Sequence, residues 1–144
     1  MRIDGQWEPV AGGHHQPTLV VFVRSSTGGW VDCTFLIDTG ADNSVLTAEL
    51  VRELQLPTQP PKHSLGGVGG KAPTVQVKPT FQFVRDDGGR VTLNVECFAL
   101  TELGALGEPI LGRDVLNLFT LVLDPSAEQV CLLHGSHRYI IQET

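Results

Sequence analysis

The sequence has few cysteines, no long apolar run and no cluster of basic residues, and each shortage narrows the possibilities. Its three cysteines, Cys33, Cys97 and Cys131, are odd in number, lie far apart and form no Cys-x-x-Cys. They sit in apolar, strand-like runs and read as buried, reduced thiols. No apolar stretch approaches the roughly 18 to 20 residues of a membrane span, so no membrane partner is expected. Lys and Arg number 10 against 16 Asp and Glu, for a net charge of −6. With nothing basic clustered, a nucleic-acid surface is not expected. The opening "MRIDGQWEPVAGGHHQP" lacks the apolar core of a signal peptide, which predicts a cytoplasmic protein. The histidine pairs His14-His15 and His134/His137 have no carboxylate or cysteine cluster at ligand spacing, so no metal is expected.

What is present points to one turn-rich β domain. A chain of 144 residues fits one domain and can bury a core without covalent staples. Apolar residues make up 41% and charged residues 18%, while Gly (16) and Pro (9) are plentiful and long helical periodicity is scarce. Residues 1–17 read as a loose N-terminal arm. "TLVVFVR" (Thr18 to Arg24), "SSTGG" and "WVDCTFLID" (Trp30 to Asp38) read as a β-hairpin. The alternation of the second strand fades into "FLI", as expected of a strand that becomes buried on both faces. "TAELVRELQLP" reads as a short helix with Thr47 as its N-cap. Further strands are expected over Thr74 to Val84 and Val91 to Leu100. Ile110 to Phe119 reads as strand, glycine, short helix, and Thr120 to His134 as a hairpin turning at Asp124-Pro125.

The stretch "TFLIDTGADNSVL" (Thr34 to Leu46) carries the chemistry. An apolar strand ends at Asp38, and Thr39 and Gly40 follow. Hydrolysis of a peptide bond by carboxylates requires one ionised group to take a proton from water. It also requires one protonated group to polarise the carbonyl. Two carboxylates a few ångströms apart meet both needs, because their repulsion leaves them sharing one proton. Each must be held rigidly. A strand end supplies rigidity, a Thr can lock the turn, and a Gly allows a tight turn in which its amide approaches the carboxylate. Hydrolysis by paired carboxylates and water needs no cofactor, so none is expected.

By these residues the chain resembles the retroviral-type (retropepsin-like) aspartic proteases. "FLIDTGADNSVL" is similar to the family's active-site signature, "LGGVGGK" (Leu65 to Lys71) to its glycine-rich flap tip, and "ILGRD" (Ile110 to Asp114) to the segment before its C-terminal helix. Asp-Thr-Gly alone recurs by chance; three matches in this order, across residues 18–134, carry the resemblance. It implies an all-β, closed-barrel-like acid protease fold with one or two short helices. It implies an aspartic endopeptidase acting on an extended peptide. Members of this size carry one Asp-Thr-Gly per chain, and two chains complete the dyad across a two-fold axis. This sequence also has only one, which implies a homodimer. Asp124 ends the similar run "LVLD", but Pro125 and Ser126 follow it, so it reads as a hairpin residue.

The resemblance assigns Asp38, Thr39 and Gly40 to catalysis, with Thr39 bonding across the two-fold axis. It assigns Ala41 and Asp42 to substrate binding, with Asp42 also pairing to Arg113. Gly112 and Arg113 are the supporting residues, and Ser44 secures the loop. Gly66, Gly67 and Val68 belong to the flap, where Val68 would donate its N–H to a water bridging to substrate. Four glycines around one Val suit a hairpin tip that bends over a peptide. A phosphate loop would end in Lys-Ser/Thr and precede a helix, whereas Lys71 precedes Ala72 and Pro73. Leu36, Val68 and Ile110 are expected to line an apolar groove. The tail 135–144 matches nothing in the family; "HRYIIQ" within it could form a dimer strand. A catalytically inactive dimeric peptide-binding module on the same fold is the alternative. A processing protease cut from a larger polyprotein differs only in context.

Overall fold

Side chains alternating between core and solvent build the first hairpin. In the computed structural model, which describes residues 1–61, 66–67 and 70–143, the chain opens with β1 (Arg2–Asp4) and β2 (Gln6–Pro9). β3 (His15–Arg24) and β4 (Trp30–Ile37) follow, antiparallel, with Thr18 opposite Leu36 and Arg24 opposite Trp30. Leu19, Val21 and Val23 of β3 are buried, while Val20 and Arg24 between and after them are exposed. On β4, Phe35 and Ile37 enter the core, but Leu36 stays half-buried. The strand is therefore not enclosed on both faces as "FLI" suggested; one face stays open, and that face leads to Asp38.

After β5 (Val45–Leu46) comes α1 (Ala48–Leu54). Thr47 caps it: its Oγ1 accepts from the Leu50 amide at 3.1 Å. β6 (Gly66–Gly67) and β7 (Gly70–Lys71) form a small antiparallel ladder. The two long strands expected next are each divided in two. β8 (Thr74–Val77) and β9 (Thr80–Val84) break at Lys78-Pro79, and β10 (Arg90–Asn94) and β11 (Cys97–Leu100) break at Val95-Glu96. The breaks face each other, with the Val95 amide donating to the Pro79 carbonyl at 3.0 Å. Pro79 has no N–H for a ladder, so here the chain changes partners. β9 pairs with β3 and β10, whereas β8 pairs with β11.

β12 (Ile110–Leu111), α2 (Arg113–Leu116), β13 (Thr120–Asp124) and β14 (Gln129–Leu133) complete the chain. The large sheet runs β10-β9-β3-β4-β12-β5-β11-β8, with β2 added alongside β3, and curls into a half-barrel. The all-β class read from the sequence is thus the class of the structure. Phe35 and Phe81 meet edge to face at 5.3 Å in its core. The last hairpin turns where Asp124 Oδ1 accepts from Ser126 Oγ at 2.7 Å and the Ala127 amide at 3.1 Å.

The first residues are not a loose arm. β1 pairs with β14, placing Ile3 opposite Leu132, and the sheet β1-β14-β13 closes one side of the core. Ile3 is 1% exposed. Asp86 fastens this strand: its amide donates to the Arg2 carbonyl at 2.8 Å and its Oδ1 accepts from the Arg2 amide at 3.0 Å. A Cβ on Gly5 would lie 2.4 Å from the Thr18 carbonyl oxygen, so the crossover from β1 to β2 requires glycine. The tail, in contrast, has no strand over 135–143, and Tyr139, Ile140 and Ile141 are exposed.

The three cysteines are free. Cys97 and Cys131 are buried and Cys33 half-buried. Loss of hydration pushes the Cys33 thiol up to about 11 from an ordinary 9.0, with Glu53 and Asp32 adding to the shift. Burial likewise raises the Cys97 and Cys131 thiols. Iodoacetamide at pH 8 should therefore label the folded protein far more slowly than the protein in denaturant, as mass spectrometry would read. The unfolded thiols ionise first as pH rises through 9, so this part of the stability is full below that value and lost between about pH 9 and 11. Truncating Ile3→Ala should lower the unfolding free energy by about 3 kcal/mol in a urea titration. A loss under about 0.5 kcal/mol would mean that β1 does not belong to the core.

Candidate active site

Asp38 is held where β4 ends because β4 lies beside β12. The two run parallel, with Leu36 beside Ile110 and Ile37 beside Leu111. The ladder continues past the strand, since the Asp38 amide donates to the Leu111 carbonyl at 3.1 Å. The chain then loops and returns as β5, which pairs with the other edge of β12. Residues 38–44 therefore cross over the end of β12, where Gly112 lies. A Cβ on Gly112 would sit 2.5 Å from both the carbonyl carbon and the oxygen of Asn43. The crossing is possible only with glycine beneath it.

Hydrogen bonds fix the crossing from both sides. The amides of Arg113 and Asp114, at the start of α2, donate to the carbonyls of Ala41 (2.8 Å) and Asp42 (3.1 Å). The loop thus satisfies amides that a helix start leaves without partners. Ser44, fully buried, donates from its hydroxyl to Asp114 Oδ1 at 2.7 Å and from its amide to Asp114 Oδ2 at 2.9 Å. Its Oγ also accepts from the Gly112 amide at 3.0 Å. Asp114 occurs in "ILGRD", but no role was read for it. The signal was its pairing with a Ser seventy positions earlier, which a single sequence does not display.

The Asp38 carboxyl is half-buried, and its Oδ1 accepts from the Gly40 amide at 2.9 Å. The Ala41 amide donates to the Asp38 carbonyl at 3.2 Å, which closes the turn. A Cβ on Gly40 would stand 3.2 Å from Asp38 Oδ1. Gly40 thus serves by close approach, and its φ lies outside the left-handed region. Thr39 is exposed, and its carbonyl accepts from Arg113 Nη1 at 3.4 Å. Arg113 also pairs with Asp42. Both partners are largely in solvent, so this pair contributes little stability.

Side-chain direction follows from these pairings. Leu36 and Asp38 are two residues apart on an extended strand and point to one face. Ile110, beside Leu36, shares that face, whereas Ile37 and Leu111 point into the core. The carboxyl therefore stands on an open, partly apolar surface. Gly66 and Gly67 lie in β6, facing Lys71 and Gly70 of β7. Val68, the expected flap tip, lies outside the described residues. Among the described residues, no three His, Cys, Asp or Glu side chains gather into a metal-binding group. No helix among them is long and apolar enough to cross a membrane.

Residues 20–115 match the family model described as aspartyl protease. No curated protein matches the chain. Among solved structures, the chain is similar to EIAV protease complexed with the inhibitor HBY-793. The identity is 25% over 75% of this chain and 91% of that one, with a TM-score of 0.54. A retropepsin-like aspartic protease from Rickettsia conorii shares the fold at 21% identity, covering 93% of this chain and 89% of that one, with a TM-score of 0.54. With Asp38, Thr39 and Gly40 at the end of β4 and the loop locked over Gly112, the chain belongs to the aspartyl protease family and has a retropepsin-like fold.

Proposed function

We propose that the protein is an aspartic endopeptidase that acts as a homodimer, with Asp38 of two copies forming the dyad. The observation that carries this reading is the single Asp38 carboxyl, held by the Leu111 and Gly40 contacts on an open face with Leu36 and Ile110 beside it. One carboxylate per chain is half of what the reaction needs. A two-fold axis beside the turn supplies the other half.

In the dimer one Asp38 is ionised and its mate protonated, because two adjacent negative charges repel. The ionised carboxylate takes a proton from water as that water attacks the peptide carbonyl. The protonated one donates to the carbonyl oxygen. The tetrahedral intermediate then collapses as a proton passes to the leaving nitrogen, and the shared proton is restored. Water forms the new bond to carbon, so no covalent enzyme intermediate arises and no cofactor is needed. Thr39, next to the carboxyl, bonds with its mate across the axis in this reading. Ala41 and Asp42 meet the substrate backbone, and Gly66, Gly67 and Val68 close over it as a flap. The exposed Tyr139, Ile140 and Ile141 of the tail offer apolar surface to the partner copy.

Incubation with a diverse peptide mixture between about pH 4 and 7, read by mass spectrometry, tests this reading. Wild type should cleave, with a bell-shaped pH dependence. Asp38→Asn should remain dimeric and lose at least about a hundredfold in rate. A folded wild-type dimer that binds peptides and cleaves none would replace this reading with that of a binding module. Asp114→Ala should separate support from chemistry. It removes a charged acceptor of two Ser44 hydrogen bonds and should cost about 3 kcal/mol of stability, measurable by urea unfolding. Arg113→Ala, which loses an exposed pair, should cost under about 1 kcal/mol.

A further inference from the structure

Glu108 lies on the wall of the same open face as Asp38. Thr18 of β3 is opposite Leu36, and Leu36 is beside Ile110, so the three form one row across β3, β4 and β12. Gln16 is two residues from Thr18 along β3 and shares its face. Glu108 is two residues ahead of Ile110, in the segment that enters β12, where the Leu36 amide donates to the Pro109 carbonyl at 2.9 Å. Gln16 Nε2 donates to Glu108 Oε1 at 2.6 Å. That bond runs from β3 to the approach of β12, past the row containing Leu36. It places the Glu108 carboxylate on the face of Leu36, Ile110 and Asp38.

The carboxylate is held there but not neutralised. Glu108 is half-buried. Gln16 is its hydrogen-bond donor, and no cation pairs with it among the described residues. Among the described residues, no group donates to its second oxygen. A peptide lying over Leu36 and Ile110 would strip water from this charge, which is unfavourable unless the peptide brings a compensating group. The fitting group has an aliphatic stem and a cationic head. The stem packs on Leu36 and Ile110 while the head reaches Glu108, as long basic side chains do at the border of apolar surface.

We propose that Glu108, positioned by Gln16, is a specificity-determining residue that selects a lysine or arginine side chain flanking the cleaved bond. This rests on the endopeptidase reading and adds to it the chemistry of one subsite. The groove is therefore mixed, with an apolar floor and an acidic rim. Acidic side chains at that position are rejected, because they would bury two like charges together.

The test uses dimeric wild type and Glu108→Gln, which keeps the side-chain size and the contact with Gln16. Peptides carrying a hydroxyethylene group in place of the central peptide bond are compared, with arginine or norleucine at each flanking position in turn. Calorimetry should show wild type binding the arginine form at least about tenfold more tightly at one position, and Glu108→Gln binding the two forms within about threefold of each other. The same preference in both proteins would overturn the assignment, as would a wild-type preference for norleucine throughout. Cleavage of the diverse peptide mixture by wild type, alongside either of those results, would leave the endopeptidase reading standing and remove only this one. Failure to bind any of the peptides and to cleave the mixture would remove both.

Discussion

The loop bearing Asp38 has to pass over the backbone of Gly112 with no side chain between them, and the rest of the site follows from that contact. Close approach brings the loop carbonyls of Ala41 and Asp42 onto the free amides of α2. It also brings Ser44 under Asp114, where one carboxylate accepts from both the hydroxyl and the amide of a fully buried residue. Each bond stands in for water that the crossing excludes, so none is optional once the chain has crossed. Asp38 inherits its position from this lattice, being fixed on one side by β12 and on the other by its own turn.

Two acid pairings lie near one another here and differ in what they do. Asp42 and Arg113 are charged partners, but both are exposed, and solvent screens them. Asp114 and Ser44 involve one charge and two neutral donors, with Ser44 fully buried and Asp114 half-buried. The conspicuous ion pair is thus the lesser contributor to the loop's rigidity, and the inconspicuous serine the greater. Arg113 is better understood through its reach to the Thr39 carbonyl, which ties the exposed part of the active-site turn to α2.

Local rules made much of this legible in the sequence. The β3–β4 hairpin, the α1 helix with its Thr47 cap, and the turn at Asp124 each depend on residues within a few positions of one another. So did the strand end at Asp38. The misreadings share a cause, which is dependence on distant partners. Thr74 to Val84 alternates throughout, yet it serves two neighbours and breaks at Pro79. The first nine residues have no pattern strong enough to announce a strand, and they become ordered because β14 and Asp86 receive β1 while β3 receives β2. Leu36 looked enclosed because its neighbours are apolar, while the open face beside it is set by where β12 arrives. The role of Asp114 was hidden for the same reason, since Ser44 becomes its neighbour only through the crossing.

The position of β1 also bears on the order of assembly. Its partner, β14, is the last of the described strands, and the His134 amide meets the Met1 carbonyl at 3.4 Å. During synthesis β1 therefore waits through some 130 further residues before its mate exists. Until then one side of the core stays uncovered, and the barrel cannot finish cooperatively however early its central hairpin forms. The joined strands act as a seam that is closed last, so that the core is covered only once β14 has been made.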